Sequence, residues 1–194
     1  RAITKYLQHD GLIINHKKVY RIMREYQLLN DRNQRPARNY VKYRRVYPNG
    51  PLEVLEMDIK FQWISDRAQY AFILTVIDCF TRKALYWTVA YSIKKTAIKT
   101  AWEEIIIKFL QPYNLLQKEI TVEIRNDNDT RFTAKEVQEF FKENKLNQVF
   151  THPYTPQENG LIESFHAILG RALGSKEFKT INDLEQHLKH FYKI

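Results

Sequence analysis

Apolar and polar residues alternate with a period of two along "LEVLEMDIKFQW" (52–63), a pattern that predicts a β-strand. "YAFILTVIDCF" (70–80) is nearly all apolar and predicts a second, buried strand. After a short turn at Thr81, "RKALYWTVA" (82–90) predicts a third, antiparallel one. The period then lengthens. In "SIKKTAIKTAWEEIIIKFL" (92–110), Ile98, Ala101, Trp102, Ile105 and Phe109 line one face of a helix. "EITVEIRND" (119–127) is a short strand, and "TAKEVQEFFKEN" (133–144) is a helix with Ala134, Val137, Phe140 and Phe141 inward. "NQVFTH" (147–152) is a further strand. A helix starts near Gln157, with Leu161, Ile162, Phe165, Ile168 and Leu169 expected on its buried side and Glu163, His166, Ala167 and Gly170 on the other. "INDLEQHLKHFY" (181–192) is a last helix. Three antiparallel strands followed by alternating helix and strand define an α/β class, a mixed sheet covered by helices.

Ahead of this core lie two short helices, "RAITKYLQH" (1–9) and His16 to about Leu28, broken at "DGL". Asn15 is placed to cap the second. Val19, Ile22, Met23 and Tyr26 share one face of that helix, and Lys17, Arg21 and Arg24 the opposite one. The chain thus reads as a helix-turn-helix-like segment (1–30), a linker (31–50) and a core (51–194).

Charge sharpens this picture. The 31 basic and 22 acidic residues give a net charge of +9, which suggests an anionic partner, most commonly nucleic acid. From Arg32 to Leu52 there are six cations (Arg32, Arg35, Arg38, Lys42, Arg44, Arg45), no acid, and interleaved Tyr40, Tyr43 and Tyr47. Cations neutralise phosphates, and tyrosine rings stack on bases or sugars. The basic stripe of the second helix suits a surface that lies on DNA, although solvated lysines and arginines would look the same. The sequence has no apolar run long enough to span a bilayer. Cys79 is the only cysteine, which fits a reducing compartment and argues against a four-ligand Cys/His zinc site.

Three acids occupy informative places. Asp58 sits inside the first core strand, on the face opposite Leu55, Met57, Ile59 and Phe61 and shared with Glu56 and Lys60. Asp127 ends the fourth strand, where open sheets commonly bind ligands. Glu163 lies in the following helical segment, with 35 residues between it and Asp127. Cleavage or transfer of a phosphodiester uses paired divalent ions, and magnesium takes hard oxygen ligands such as carboxylates. Each acid alone also fits a bland role: an edge-strand surface group, a turn-former, a helix-surface charge.

Taken together and in order, "EMDIK", "IRNDNDTRF" and "HPYTPQENGLIES" resemble the DDE core of retroviral integrases and related bacterial insertion-sequence transposases. "VIDCFTRKALYW" resembles the family's second and third strands, and "GLIINHKKVYRIMREYQLL" the DNA-binding helices upstream in the bacterial transposases. The resemblance spans nearly the whole chain. It implies a ribonuclease-H-like fold with a five-stranded mixed sheet. It implies that Asp58, Asp127 and Glu163 bind two divalent ions, Mg²⁺ or Mn²⁺, for end cleavage and strand transfer on mobile-element DNA. Asn159, Gly160, His166 and Arg171 become expected nucleic-acid contacts beside Lys17, Arg21, Arg24, Arg35, Arg38, Lys42, Arg44 and Arg45. A homodimer or larger assembly on DNA in the bacterial cytoplasm, at the nucleoid, is also implied. So is a chain truncated at its C-terminus, since the transposases continue past "FYKI".

Two positions depart from the family pattern. Asp129 replaces a common glycine, so a further acid stands two residues from Asp127 and could join the metal site or repel phosphate. Ala167 and Gly170 stand where a helix lysine is often found. These departures keep open a second reading, a catalytically impaired transposase descendant that binds DNA and regulates transposition. Asp127–Asn128–Asp129 also matches the short Asp–x–Asp of nucleotide-sugar enzymes, but the basic linker and helix pair do not serve that chemistry. His187 and His190 lack a third ligand nearby in sequence and read as a solvated helix face.

Overall fold

A computed structural model describes residues 2–29, 48–117, 122–152 and 155–193. The chain divides into two compact units, Arg1–Val41 and Lys42–Ile194.

In the first unit, α1 (Ala2–His9) and α2 (His16–Glu25) are joined through Gly11, whose φ of 85° suits a residue without a Cβ. The Asn15 side chain accepts from the Lys18 N–H at 2.9 Å and caps α2 as expected. The helix stops at Glu25 rather than Leu28, because Gln27 turns to a φ of 53°. Of the expected apolar face, Val19 is buried and Met23 half-buried, whereas Ile22 and Tyr26 are exposed. Two short helices present too little surface to cover a whole stripe.

The second unit is a five-stranded mixed sheet flanked by helices, with strand order β3-β2-β1-β4-β5. Its strands are β1 (Val54–Ile64), β2 (Gln69–Asp78), β3 (Ala84–Ala90), β4 (Glu123–Asn126) and β5 (Asn147–Phe150). β1–β2 and β2–β3 are antiparallel, while β1–β4 and β4–β5 are parallel. The helices are α3 (Lys95–Ile105), α4 (Lys135–Glu143), α5 (Gly160–Leu173) and α6 (Ile181–Phe191). α3 runs into a π-helical turn at Ile106–Leu110, and a 3₁₀ turn at Pro156–Asn159 leads into α5.

Each face of the sheet buries its own apolar cluster. On one, Leu55, Met57 and Ile59 of β1 pack with Leu74 and Val76 of β2 against Ile98, Trp102 and Ile105 of α3 and Val137 and Phe141 of α4. On the other, Ile64, Ala71 and Ile73 pack against Leu169 and Leu173 of α5 and Leu184 and Leu188 of α6. β1 is therefore covered on both sides. The inward alternation ends at Phe61, which is exposed together with Trp63 and Tyr70.

The turn after β2 is built on one carboxylate. Asp78, 1% exposed, accepts from the Leu52, Phe80 and Thr81 N–H groups at 3.0, 3.3 and 3.0 Å and from the Thr81 hydroxyl at 2.6 Å. Asp78→Ala strands these donors beside the core. The expected loss is about 3 kcal/mol of stability in urea denaturation. A loss under about 1 kcal/mol would mean that the turn is not held by this residue.

Candidate active site

β1 and β4 run parallel with Glu56 opposite Arg125. Continuing that register by two residues sets Asp58 beside Asp127, because neighbouring strands lie about 4.8 Å apart. Asp127 directly follows the last residue of β4, on a loop whose backbone is tightly bonded. The Asn126 side-chain amide donates to the Asp127 carbonyl at 2.7 Å, and the Asp129 N–H donates to Asp127 Oδ1 at 3.0 Å. Glu163 lies in the first turn of α5, the helix that crosses β1.

Asp127 and Glu163 each lie within reach of the Asp58 charge. Burial raises the Asp127 carboxyl above its ordinary range, and the charges of Asp58 and Asp129 add to that rise against the Asp129 N–H bond. Asp127 keeps much of its surface open to solvent while protein crowds its carboxyl from the sheet side. Glu163, exposed overall, is raised by partial burial and then by the Asp58 charge, with His166 opposing. Among the described residues, no three His, Cys, Asp or Glu side chains stand close enough to enclose a metal ion. The donors themselves are of the right kind, hard carboxylate oxygens from a strand, a loop and a helix.

His166 departs from expectation. It is buried, 7% exposed, and its Nδ1 lies 3.2 Å from Asp58 Oδ2, so it faces the sheet and offers no open surface to phosphate. Ile168, assigned to the buried side of the same helix, is 48% exposed. Both shifts have one cause. α5 lies over the polar face of β1, so polar helix residues meet Glu56, Asp58 and Lys60 rather than water. Asn159 is likewise buried, at 6% exposure, and its Oδ1 has no hydrogen-bond partner among the described residues. Gly160 is half-buried at the start of α5, and Arg171 is exposed. Lys17, Arg21 and Arg24 are exposed on α2 of the first unit, whereas Arg35, Arg38, Lys42, Arg44 and Arg45 lie outside the described residues.

Asp129 is committed elsewhere. Arg131 grips it with Nε to Oδ1 at 2.8 Å and Nη2 to Oδ2 at 2.5 Å, and this guanidinium holds the Asp129 carboxyl below its usual range. Its charge is thus paired with a cation, and Arg131 also lies over the Phe72 ring.

Two residues of the site were not assigned from sequence. Glu56 is 4% exposed, and its carboxylate accepts at 2.7 Å from the N–H of Ile162, next in chain to Glu163. Burial raises its carboxyl, and that N–H bond works against the rise. Lys60 extends along α5 to Gly170, where its Nζ lies 3.5 Å from the place a Cβ would take. It brings an ammonium to a helix position without a side chain. The available signal was Glu56–x–Asp58–x–Lys60, three charged residues on one face of an otherwise apolar strand.

The architecture is that of the ribonuclease-H-like cores of transposases and integrases. The Mos1 mariner transposase catalytic domain aligns over 73% of this chain and 70% of its own, with a TM-score of 0.61 at 13% identity. That domain has also been solved with Raltegravir and Mg and with Raltegravir and Mn. The simian T-cell lymphotropic virus intasome in complex with PP2A regulatory subunit B56 gamma aligns over 71% of this chain and 47% of its own, with a TM-score of 0.53 at 17% identity. Residues 48–156, more than half of the sequence, match the integrase core domain; residues 144–193 match a second description of that core and residues 1–36 an HTH-like domain. The chain belongs to the integrase core domain family. Relatives include the putative transposase InsK of insertion sequence IS150 from Escherichia coli K12, 21% identical over 98% of this chain and 68% of that protein. The transposase InsD of IS2 from E. coli is 28% identical over 80% of this chain and 52% of its own length. An uncharacterized 39.2 kDa protein of IS476 from Xanthomonas euvesicatoria is 26% identical over 86% and 45%. The chain thus spans between about half and two thirds of the length of these curated relatives. No helix among the described residues is long and apolar enough to cross a membrane.

Proposed function

We propose that this chain is the catalytic core of a metal-dependent DNA transposase that cleaves mobile-element ends and joins them to target DNA by transesterification. The observation that carries the reading is geometric: Asp58 on β1, Asp127 just past the end of the adjacent parallel strand β4, and Glu163 in the first turn of α5, which crosses β1. Clustering like charges costs folding energy and is a mark of function. Asp58, Asp127 and Glu163 would hold two divalent ions, with side-chain rotation at Asp127 and Glu163 closing the set. When bound, such ions activate the attacking oxygen and stabilise the leaving one. The Mg and Mn bound to Mos1 favour the same metals here.

The chain's own residues prepare that site. His166 holds one oxygen of Asp58 in place. The Asp129–Arg131 pair stiffens the loop carrying Asp127 without adding net charge. Lys60 and Arg171 bring cations to the α5 side for backbone phosphates. Lys17, Arg21 and Arg24, with the linker cations, supply sequence-independent DNA affinity, and pairing two element ends calls for at least a homodimer. Domain limits of 1–30, 31–50 and 51–194 belong to the same proposal.

The second reading, a DNA-binding regulator without turnover, is favoured by Ala167 and Gly170, which leave α5 without a lysine at either place. Strand-transfer assays on DNA carrying the element's ends, with Mg²⁺ or Mn²⁺, separate the two. Joined products that vanish with EDTA are expected. End binding with no product in either metal would select the regulator.

A further inference from the structure

We propose that Glu56 is a positioning residue whose buried carboxylate caps α5 from strand β1 and fixes the backbone carrying Glu163. The inference rests on the reading of Glu163 as an ion-holding acid.

Helix starts leave N–H groups without partners, and a side chain at the N-cap ordinarily satisfies one of them. Asn159 holds the N-cap place of α5 and makes no side-chain capping bond. The Ile162 N–H, at the third helical position, instead donates to Glu56 Oε2 at 2.7 Å, from a residue 106 positions earlier in the chain. The side chain on this strand therefore does the work of a local cap. Its negative charge also suits the positive end of the helix dipole. Around it, Arg125 and Arg82 supply compensating charge. A buried carboxylate without such partners would be costly.

A local cap and this one differ in what they determine. A side-chain cap made from within the helix's own N-terminal segment would satisfy the N–H wherever the helix lay. A cap from β1 satisfies it only when α5 sits at one depth and one angle over the strand. Glu163 follows Ile162 directly, and Asp58 lies two residues from Glu56 on the same strand face. One hydrogen bond thus sets the separation of the two backbones that carry Asp58 and Glu163. Groups that orient ligating residues influence metal affinity by about 10–100-fold, without touching the metal.

The test uses the full chain with Glu56→Leu, Glu56→Asp and Glu56→Gln. Amide exchange at Ile162 reads the cap, free Mn²⁺ in titrations reads ion affinity, and strand transfer at saturating DNA reads turnover. In Glu56→Leu, Ile162 exchange should quicken at least about tenfold and Mn²⁺ affinity fall about tenfold or more, with end binding unchanged. Glu56→Asp keeps the charge but is one methylene short of the N–H, so it should show the same changes in weaker form; it decides the matter should the Leu variant not fold. Glu56→Gln keeps an acceptor and should restore parent-like exchange and affinity. Unchanged Ile162 exchange in Glu56→Asp would overturn the cap. Faster exchange with unchanged Mn²⁺ affinity would overturn its role toward the site. A parent that lacks turnover defeats the nuclease reading by itself, and Ile162 exchange still decides the cap.

Discussion

Asp58→Asn should lower strand transfer on the order of 10³-fold while leaving DNA-end binding intact and slightly stabilising the fold in EDTA. The two effects run in opposite directions for one reason. Asp58 is the charge that both Asp127 and Glu163 sense, so in the proposed site it would be central to holding an ion and equally to the repulsion felt without one. Both neighbours hold their protons more tightly folded than unfolded. The sign follows from linkage. Stability falls as pH rises from the ordinary carboxylate range through the raised values, and the deficit persists above them. Asparagine removes the Asp58 share of that deficit. The variant should therefore gain about 0.5 kcal/mol at neutral pH and nothing at a pH where the neighbours are protonated. Gel assays of strand transfer and melting curves at two pH values measure both effects. Turnover that survives the substitution would remove Asp58 from the chemistry, and a variant destabilised at neutral pH would contradict the electrostatic account.

The elements were legible where one periodicity governed a whole segment. Alternation along 52–63 and the apolar run of 70–80 became β1 and β2, and of the stripe Ile98, Ala101, Trp102, Ile105 and Phe109 the first four are buried and Phe109, in the π-helical turn, is half-buried. A strand pattern says which residues share a face. It does not say that the opposite face is also covered. That gap explains the α5 errors. The helix lies on a strand face bearing Glu56, Asp58 and Lys60, so His166 faces inward while Ile168 stays outside. The role of Glu56 was invisible for a related reason, since its partner is a backbone N–H more than a hundred residues away. Asp129 could be read from sequence as a fourth site acid. The Arg two residues on that neutralises it was also in view, but whether a nearby opposite charge folds back is decided by loop geometry.

Trp102→Ala should cost about 4 kcal/mol, a large fraction of the stability of a domain this size. Trp102 is fully buried where α3, α4 and β1 meet. Its indole N–H points at the Met57 sulfur at 3.2 Å, and its ring meets Phe141 edge-on at 5.2 Å between centroids. Deleting it removes a large apolar surface and opens a cavity that three elements must collapse to fill. The melting temperature should fall by roughly 10 °C. Trp102→Phe keeps most of the volume and should cost under half as much. Ile168→Ala is the informative control. A helix pattern read alone would rank it with the core, whereas its exposure predicts a change within about 0.5 kcal/mol. Met57 adjoins Asp58, so the loss at Trp102 also acts on the strand that carries the acid. In the Ala variant, Mn²⁺ affinity should therefore weaken even at temperatures where the protein remains folded. An Ala variant that melts with the parent would show that β1 is not held by this contact.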